Sequence, residues 1–470
     1  FEGRILVRLN RKQPSEKKCA FMAKQIDMLS GSLWRSVLRF SVPVAATSIL
    51  EQLTTFIGVL IIGRFSGDHA AVGMAALGAN MPLVSFIVSL SMGIALGANV
   101  IVAIALGRKN LTGVERAVHT SIALSVFGLV FTLLGELLAV PLLKALCVPD
   151  EAFAETLIFW RIYLISVPAI ALFNFEFAIY RSIGNTIRPL QVLTVATVLN
   201  AVLGYVFVAI CSWGVAGIAV ATVASYVLCA ILLLADLCRI DSAVRVSLHK
   251  IKIDWPSARQ IIKVGLPAGV QMGIFAVANI IIQGAINSLG TNVIAASSAG
   301  LSLEFVFWAM VSAFGQACTS FTGQNFGAGD IKRCKKTLLV CMVESEIVVA
   351  VIVLAVIFFG REMVGLFNGD PEVVSLGYQR LFIIIPSYFF SMVYETCSDY
   401  MRGFGISVSP AALTVLGVCG VRVLWVAFVF PAFPTFEMIM YVYPVSLGIT
   451  AILIVALLMI ARPSKNCVNL

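Results

Sequence analysis

The chain has 470 residues, of which 60% are hydrophobic and only 12% are charged, and its mean hydropathy is +0.99. Soluble domains carry roughly 25% charged residues, so this composition excludes a water-soluble globule. The formal net charge of +9 does not indicate a nucleic-acid partner, because the basic residues fall in short loops beside apolar runs, as they do in membrane proteins.

Residues 1–35 are predicted to form a basic cytoplasmic tail. They contain no hydrophobic core of a signal peptide, and Met22 begins a plausible start of translation. Residues 1–21 are therefore expected to be either an upstream artefact or a disordered part of the tail, with little function of their own.

Twelve apolar runs of membrane-spanning length follow in chain order. A span needs about 20 residues, and lipid offers no partners for backbone polar groups, so these runs are predicted to be helices. Pro82 is expected to break or bend the second run, which is too long for one straight span. The predicted spans are 36–62, 70–106, 117–143, 157–180, 190–210, 215–237, 264–286, 294–321, 337–359, 376–400, 411–430 and 438–461.

The distribution of lysine and arginine orients these helices. An even number of spans places both termini on one side, and most of the 33 basic residues fall on that side, which makes it cytoplasmic. The predicted organisation after the tail is an N-terminal six-helix lobe (36–238), a basic cytoplasmic linker (239–263), a C-terminal six-helix lobe (264–461) and a cytoplasmic tail (462–470).

The two six-helix units are predicted to be copies of one another. Glycine and proline markers recur at a separation of about 220 residues. Six spans per copy is an even number, so the copies run in parallel around an axis along the membrane normal. Two such lobes enclose a central cleft suited to alternating access; the alternative is a duplicated scaffold that moves nothing. The matched pairs are Pro43 with Pro267, Gly107 with Gly327, Pro168 with Pro386, and Pro189 with Pro410.

Several segments, taken in order, resemble the multidrug and toxic compound extrusion (MATE) family, especially its bacterial branch. They include SVPVAATSILEQL and IIGRFSG within Ser41–Gly67, GLPAGVQMGIFAVANIIIQGAINSLG (Gly265–Gly290) and FTGQNFGAGDIKRCKK (Phe321–Lys336). The resemblance implies a secondary antiporter of the inner membrane that exports amphipathic, often cationic, organic compounds in exchange for H⁺ or Na⁺. It implies no cofactor, and a monomer is expected.

The chain departs from the family pattern at two positions of its N-terminal lobe. Members usually carry an aspartate late in the first helix, where this chain has Gly58, and another four residues after the position of Asn200, where this chain has Gly204. Glu51 instead stands where the branch usually has glutamine, two turns before Gly58 on nearly the same helix face. These differences favour H⁺ over Na⁺ as the coupling ion.

Ionisable groups inside membrane spans are costly, and each is a functional candidate by default. Glu51, Glu304 and Glu395 are the candidates for proton or cation coupling, and hydrogen bonding to a neighbouring helix is the alternative for each. Asp399 is expected to form an internal ion pair near Arg402. Structural roles are expected for Glu136, Glu344 and Glu346, and no coupling role for His69, His119 and His249.

Polar and aromatic side chains within the spans are candidates for lining the cleft. The polar ones could equally join helices through hydrogen bonds worth about 0.6–2 kcal/mol each, and the aromatic ones could pack in the core instead of stacking on cations. The polar candidates and Tyr205 are Gln52, Thr55, Asn174, Glu176, Asn200, Tyr205, Gln271, Asn279 and Gln283; the other aromatic residues are Phe173, Phe175, Phe305, Phe307 and Trp308.

The sequence does not indicate an enzyme. It contains no Walker A, zincin, nucleophile-elbow or dinucleotide motif, and its eleven cysteines show neither metal-ligand spacing nor a disulfide framework. Small organic substrates and the lipid bilayer are the expected partners. The alternatives are a lipid-linked saccharide flippase of the same superfamily, disfavoured because arginine within the membrane is expected to be sparse, chiefly Arg422, and a non-transporting receptor.

Overall fold

The computed structural model describes residues 25–146, 148–367 and 369–466; the segment 1–21 lies outside these ranges. The described residues form helices and no strand, and twelve helices are long and apolar enough to cross a membrane. This confirms the predicted all-α fold. The helices are α1 (Leu33–Phe65), α2 (Ala70–Gly107), α3 (Leu111–Leu137), α4 (Asp150–Ser182), α5 (Ile187–Ile210), α6 (Gly214–Arg239), α7 (Trp255–Asn287), α8 (Thr291–Gly327), α9 (Ile331–Gly365), α10 (Pro371–Gly403), α11 (Val408–Val429) and α12 (Phe436–Ala461).

Several helices extend beyond their predicted ends because polar residues cap them. The Asp254 side chain accepts a hydrogen bond from the backbone N–H of Ser257 at 3.1 Å, and a proline occupies the first turn of α7. The linker between the lobes therefore spans 240–254 and is shorter than predicted. Helices α4 and α10 end at Ser182 and Gly403, so Arg181 and Arg402 are helical residues.

Pro82 does not break α2, which is one continuous helix of 38 residues. Proline is tolerated within membrane helices because neighbouring groups satisfy the freed backbone carbonyl. Irregular turns occur elsewhere. Helix α10 contains a 3₁₀ turn at Ile385–Ser387, and π-helical turns occur at Val206–Ile210 of α5 and at Val415–Gly420 and Trp425–Val429 of α11. Such π turns often mark functional regions.

The lobes contact each other near the face that carries most of the basic loops. We call this the basic face; its loops are 108–110, 183–186, 240–254, 328–330 and 404–407. Here α2 crosses α7 with the backbones in contact. A Cβ atom added at Gly93 would overlap Gly269, and one added at Gly97 would overlap the carbonyl of Ile261. Small residues permit this approach.

A second inter-lobe contact obeys the symmetry of the repeat. A Cβ atom added at Gly107 would overlap the carbonyl oxygen of Gln324 in α8, and one added at Gly327 would overlap the carbonyl oxygen of Ile104 in α2. Gly107 and Gly327 are equivalent positions of the two copies. The pseudo-twofold axis therefore passes between the ends of α2 and α8, as expected for parallel repeats.

Towards the opposite face, α2 and α7 separate. Phe86 still contacts the Gly273 position. Closer to the opposite face than Phe86 and Gly273, no atom lies within 4 Å of a Cβ atom added at Gly78 of α2 or at Gly284 of α7. Val277 of α7 is 52% exposed. The lobes are thus closed at the basic face and diverge towards the opposite face, with a cleft between them.

Residues 25–32, which we call the strap, run across the basic face and contact both lobes. The N–H of Ile26 donates to the carbonyl of Gly184 in the N-terminal lobe at 3.1 Å. The Arg333 guanidinium of the C-terminal lobe donates to the carbonyls of Met28, Ser30 and Gly31 at 3.1, 2.7 and 3.2 Å. Within the strap, hydrogen bonds from the Ser30 hydroxyl and nearby backbone N–H groups lower the pKa of Asp27.

Candidate functional site

Arg181 of α4 lies where the lobes meet and is only 1% exposed. Its Nη1 donates to Oε1 of Gln316 in α8, and its guanidinium lies 4.4 Å from the centre of the Phe177 ring. Nε and Nη2 have no hydrogen-bond partner among the described residues. Glu51 of one lobe and Asp399 of the other lie within electrostatic range of the guanidinium.

Helix α10 contributes a second buried arginine to the floor of the cleft. Nη1 of Arg402 lies 2.5 Å from Oδ1 of Asp399, which is the internal ion pair expected from the sequence. Nη2 donates to Oε1 of Gln271 in α7 at 2.7 Å. Glu395, one turn before Asp399, is partly exposed, and its Oε2 is buried without a partner among the described residues.

Glu51 projects from α1 into the space beside Arg181. The residue is partly exposed, and neither of its oxygens is among the buried atoms that lack a partner. Within the described part of the chain no hydrogen bond or short ion pair engages it, whereas Tyr163 of α4 and Tyr226 of α6 lie within electrostatic range. Its carboxyl group is therefore reachable and is not committed to a neighbouring side chain.

Uncharged polar residues flank Glu51 and join α1, α5 and α6. Thr54 and Thr197 share a hydrogen bond of 3.1 Å, and Asn200 donates to Thr222 at 3.3 Å. We call this group, together with Glu51, the N-lobe pocket. It unites residues from three helices that are far apart in the sequence.

The two glycines that stand in place of the family's aspartates face the same side chain, Ile218 of α6. A Cβ atom at Gly58 would lie 3.1 Å from Cγ2 of Ile218, and a Cβ atom at Gly204 would lie 3.2 Å from Cδ1 of the same residue. The α6 isoleucine thus fills the space between α1 and α5. A carboxylate at either position would contact the apolar side chain of Ile218, so the acidic side chains of this lobe lie at other positions.

The C-terminal lobe contains a basic pocket of its own. Arg422 of α11 is 7% exposed. Its Nη1 donates to Oδ1 of Asn279 in α7 at 2.8 Å, its Nε lies 3.5 Å from the Ser446 hydroxyl in α12, and its guanidinium lies 4.5 Å from the centre of the Tyr443 ring. We call these four residues the C-lobe pocket.

Glu304 lies beside the C-lobe pocket but is fully engaged. Nε and Nη2 of Arg380 in α10 donate to its two carboxylate oxygens at 2.6 and 3.1 Å, and both side chains are almost completely buried. Nη1 of Arg380 donates to Ser297 at 2.8 Å. A carboxylate held by a bidentate arginine is poorly placed to exchange protons.

The remaining predicted cleft residues lie in several different environments. Asn174 is buried and donates to the carbonyl of Ile170 at 3.0 Å. Glu176 is fully buried, and its oxygens have no described partner. Gln52 is partly exposed and Thr55 exposed. Gln283 donates a hydrogen bond to Asn287.

The aromatic candidates mostly pack against other side chains. Tyr205 packs edge-on against Phe65, and Trp308 packs against Tyr388. Phe305 is 41% exposed, whereas three others are buried in the core: Phe173, Phe175 and Phe307.

The expectation that arginine is sparse within the membrane was wrong. Arg181, Arg380 and Arg402 are buried within membrane-spanning helices in addition to Arg422. The prediction failed because the predicted spans end before Arg181 and Arg402, and because it disregards Arg380, which lies inside the predicted span 376–400. The correction does not favour a flippase, since Arg380 and Arg402 are ion-paired.

Other ionisable groups lie away from the cleft. Glu136 pairs with Arg161 at 2.9 Å, and both are about half exposed. Glu344 and Glu346 lie in α9 and have oxygens without a described partner. His119 is buried within α3, and its Nε2 accepts a hydrogen bond from the backbone N–H of Ser247, which anchors the inter-lobe linker. No metal-binding cluster of His, Cys, Asp or Glu occurs among the described residues.

Known proteins share both the sequence pattern and the fold. The chain is 24% identical over 436 residues to the probable multidrug resistance protein YoeA of Bacillus subtilis, covering 90% of this chain and 93% of that protein. It is 23% identical to an FAD transporter of Shewanella oneidensis, covering 71% and 77%. The solved structure of a multidrug resistance MATE family transporter in an outward-facing conformation superimposes with a TM-score of 0.85 at 19% identity, covering 94% of this chain and 99% of that chain.

The MatE family profile matches residues 43–206 and 267–428. One match falls in each lobe, so the profile recognises the same duplication that the glycine contacts and the helix order display. Together the matches span more than half of the sequence. The chain therefore belongs to the MatE family of membrane transporters.

Proposed function

We propose that this protein is a proton-coupled antiporter that exports amphipathic organic compounds across the inner membrane. The observation that carries the proposal is Glu51, a partly exposed carboxyl group beside Arg181 that has no ion-pair partner at hydrogen-bond distance among the described residues. Relatives named for multidrug resistance and for FAD transport support an exported organic substrate. The basic face is the cytoplasmic face in this proposal, so the cleft opens outward.

The proposed cycle uses Glu51 as the site of proton exchange. With the cleft open outward, Glu51 takes up a proton from outside while the substrate leaves. Rocking of the lobes about the crossing of α2 and α7 then opens the basic face, and a substrate with a cationic group displaces the proton into the cytoplasm. Transport is coupled because proton and substrate compete for one carboxyl group.

Replacement of Glu51 tests the coupling. Glu51→Gln keeps the size and hydrogen-bonding capacity of the side chain but cannot carry a titratable proton, so ΔpH-driven accumulation of ethidium in everted vesicles is expected to fall at least tenfold. Glu136→Gln, which alters an exposed carboxylate at the periphery, is the matched control and should transport normally. Undiminished transport by Glu51→Gln at equal membrane abundance would overturn the proposal.

The same vesicles distinguish the coupling ions. A sodium gradient without ΔpH is expected to drive no accumulation of ethidium. The reason is that Gly58 and Gly204 supply no carboxylate and Ile218 fills the space between them, whereas Na⁺ requires several oxygen ligands. Transport driven by sodium alone would show that the ion binds elsewhere in the chain.

A further inference from the structure

The C-lobe pocket contains a cation for which the described part of the chain supplies no anion. Hydrogen bonds engage Nε and Nη1 of Arg422 with neutral groups only, Ser446 and Asn279. Nη2 is neither hydrogen-bonded in the described residues nor among the buried atoms that lack a partner. One edge of the guanidinium therefore remains available to a ligand.

Two carboxylates of this lobe are committed to other arginines. Glu304 accepts from Nε and Nη2 of Arg380, and Asp399 pairs with Arg402. The ring of Tyr443 lies between the two guanidinium groups, 5.6 Å from Arg380 and 4.5 Å from Arg422. Glu395 lies beside Tyr394, which is within electrostatic range of Arg422, but the described residues place no carboxylate at hydrogen-bond distance from the Arg422 guanidinium.

An unpaired arginine at membrane depth is expensive, and such residues normally pair with another group or mark a transport pathway. The pocket is reachable because Asn279, which accepts from Arg422, is itself exposed on α7. Asn279 also occupies the position of the C-terminal repeat that corresponds to Thr55 beside the N-lobe pocket. The equivalent helices α1 and α7 thus each contribute to a polar pocket: α1 carries Glu51, and α7 carries Asn279, which contacts Arg422.

We propose that the C-lobe pocket binds an acidic group, such as a carboxylate, of the exported compound. Nη2 of Arg422 would donate to one ligand oxygen, with the amide N–H₂ of Asn279 as a neighbouring donor, a geometry that suits an anion. This inference rests on the proposed export function and refines its substrate class. Because the N-lobe pocket carries Glu51, the preferred compounds are zwitterionic amphipaths that carry a cationic group and an acidic group.

A pair of fluorescent dyes that differ only in the acidic group tests the proposal. Rhodamine B has a free carboxylate, and its ethyl ester does not. Fluorescence anisotropy with the purified full chain in nanodiscs is expected to show at least tenfold tighter binding of the acid. Arg422→Gln should remove this preference. Asn279→Asp should remove it too, because the new carboxylate would neutralise Arg422 from within the pocket.

Two controls separate this proposal from others. Arg64→Gln removes an exposed cation at the opposite face and should retain the preference for the acid. Glu51→Gln should weaken the binding of both dyes, since both carry the cation, but keep the ratio of their affinities, so failure of proton coupling and failure of the anion pocket give different results. Equal affinities for the two dyes in the unaltered chain, binding of neither dye, or a preference that survives both pocket substitutions would overturn the proposal.

Discussion

Buried ion pairs illustrate how the fold handles charge at the level of single residues. Arg380 and Glu304 are each less than 10% exposed, and Arg380 donates two hydrogen bonds to the Glu304 carboxylate. Such a pair contributes little net stability, because the desolvation of two ions offsets their attraction, but removal of one partner leaves an uncompensated charge. We therefore expect the fold to require both partners of this pair, and we expect neither partner to take part in transport.

A double-mutant cycle checks this role. Glu304→Gln is expected to destabilise the protein by about 3–5 kcal/mol, since it leaves Arg380 buried without a carboxylate. The double variant Glu304→Leu with Arg380→Met should recover much of that loss. Thermal unfolding in detergent, followed by tryptophan fluorescence, measures both. A double variant as unstable as the single one would contradict the interpretation, as would a single variant as stable as the unaltered chain.

Single residues also show how far sequence reasoning reaches. The Asp399–Arg402 pair was predictable, because residues three apart on a helix are neighbours. The partners of Glu304, Gln271 and Asn279 were not, because Arg380, Arg402 and Arg422 lie on other helices and only the packing of the lobes brings them close. The sequence also could not show that Glu51 has no ion-pair partner at hydrogen-bond distance among the described residues, since this depends on every helix that faces α1.

At the scale of helices, the crossing of α2 and α7 sets how tightly the lobes close. Gly93→Ala would place a methyl group against the backbone of Gly269, so the helices must move apart. The basic face is expected to open, and spin labels at positions 108 and 332 of a cysteine-free variant should show a longer mean distance by electron-spin resonance.

Gly284→Ala is the matched control for this experiment. It makes the same chemical change within α7, where no atom lies within 4 Å of the new methyl group. Alanine normally favours a helix over glycine, so this variant should keep the distance of the unaltered chain. Identical distances for Gly93→Ala and the unaltered chain would mean that the crossing does not limit closure.

The helices themselves were largely predictable, and their ends were not. An apolar run of about 20 residues identifies a membrane-spanning helix, because a helix of this length crosses the bilayer and satisfies its own backbone polar groups in lipid. The ends depend on polar caps such as Asp254, and on whether an arginine at a helix end turns inward, as Arg181 does. The tolerance of Pro82 within α2 likewise depends on the surrounding helices and not on the local sequence.

For the molecule as a whole, the strap adds a connection between the lobes at the basic face. Arg333→Gln removes hydrogen bonds to three strap carbonyls, and a charged hydrogen bond contributes about 1.5–3 kcal/mol when well formed. The variant is expected to exchange amide hydrogens faster in residues 26–31 and to populate the state open at the basic face more often. Hydrogen exchange measured by mass spectrometry would show both effects.

Lys332→Gln serves as the control, because it removes an adjacent exposed cation that no described hydrogen bond ties to the strap. If both variants exchange at the rate of the unaltered chain, the strap does not contribute to closure. The repeat in the sequence predicted the two lobes, but it could not predict the strap, which belongs to neither copy.

The proposed roles of Glu51 and Arg422 together have an electrical consequence. A zwitterion has no net charge, so a cycle that exchanges it for one proton carries one positive charge into the cell. The membrane potential would then assist export by about 2.3 kcal/mol for every 100 mV. Placing the acidic and basic groups in separate lobes would thus allow a cell with little pH gradient to expel such compounds on its voltage alone.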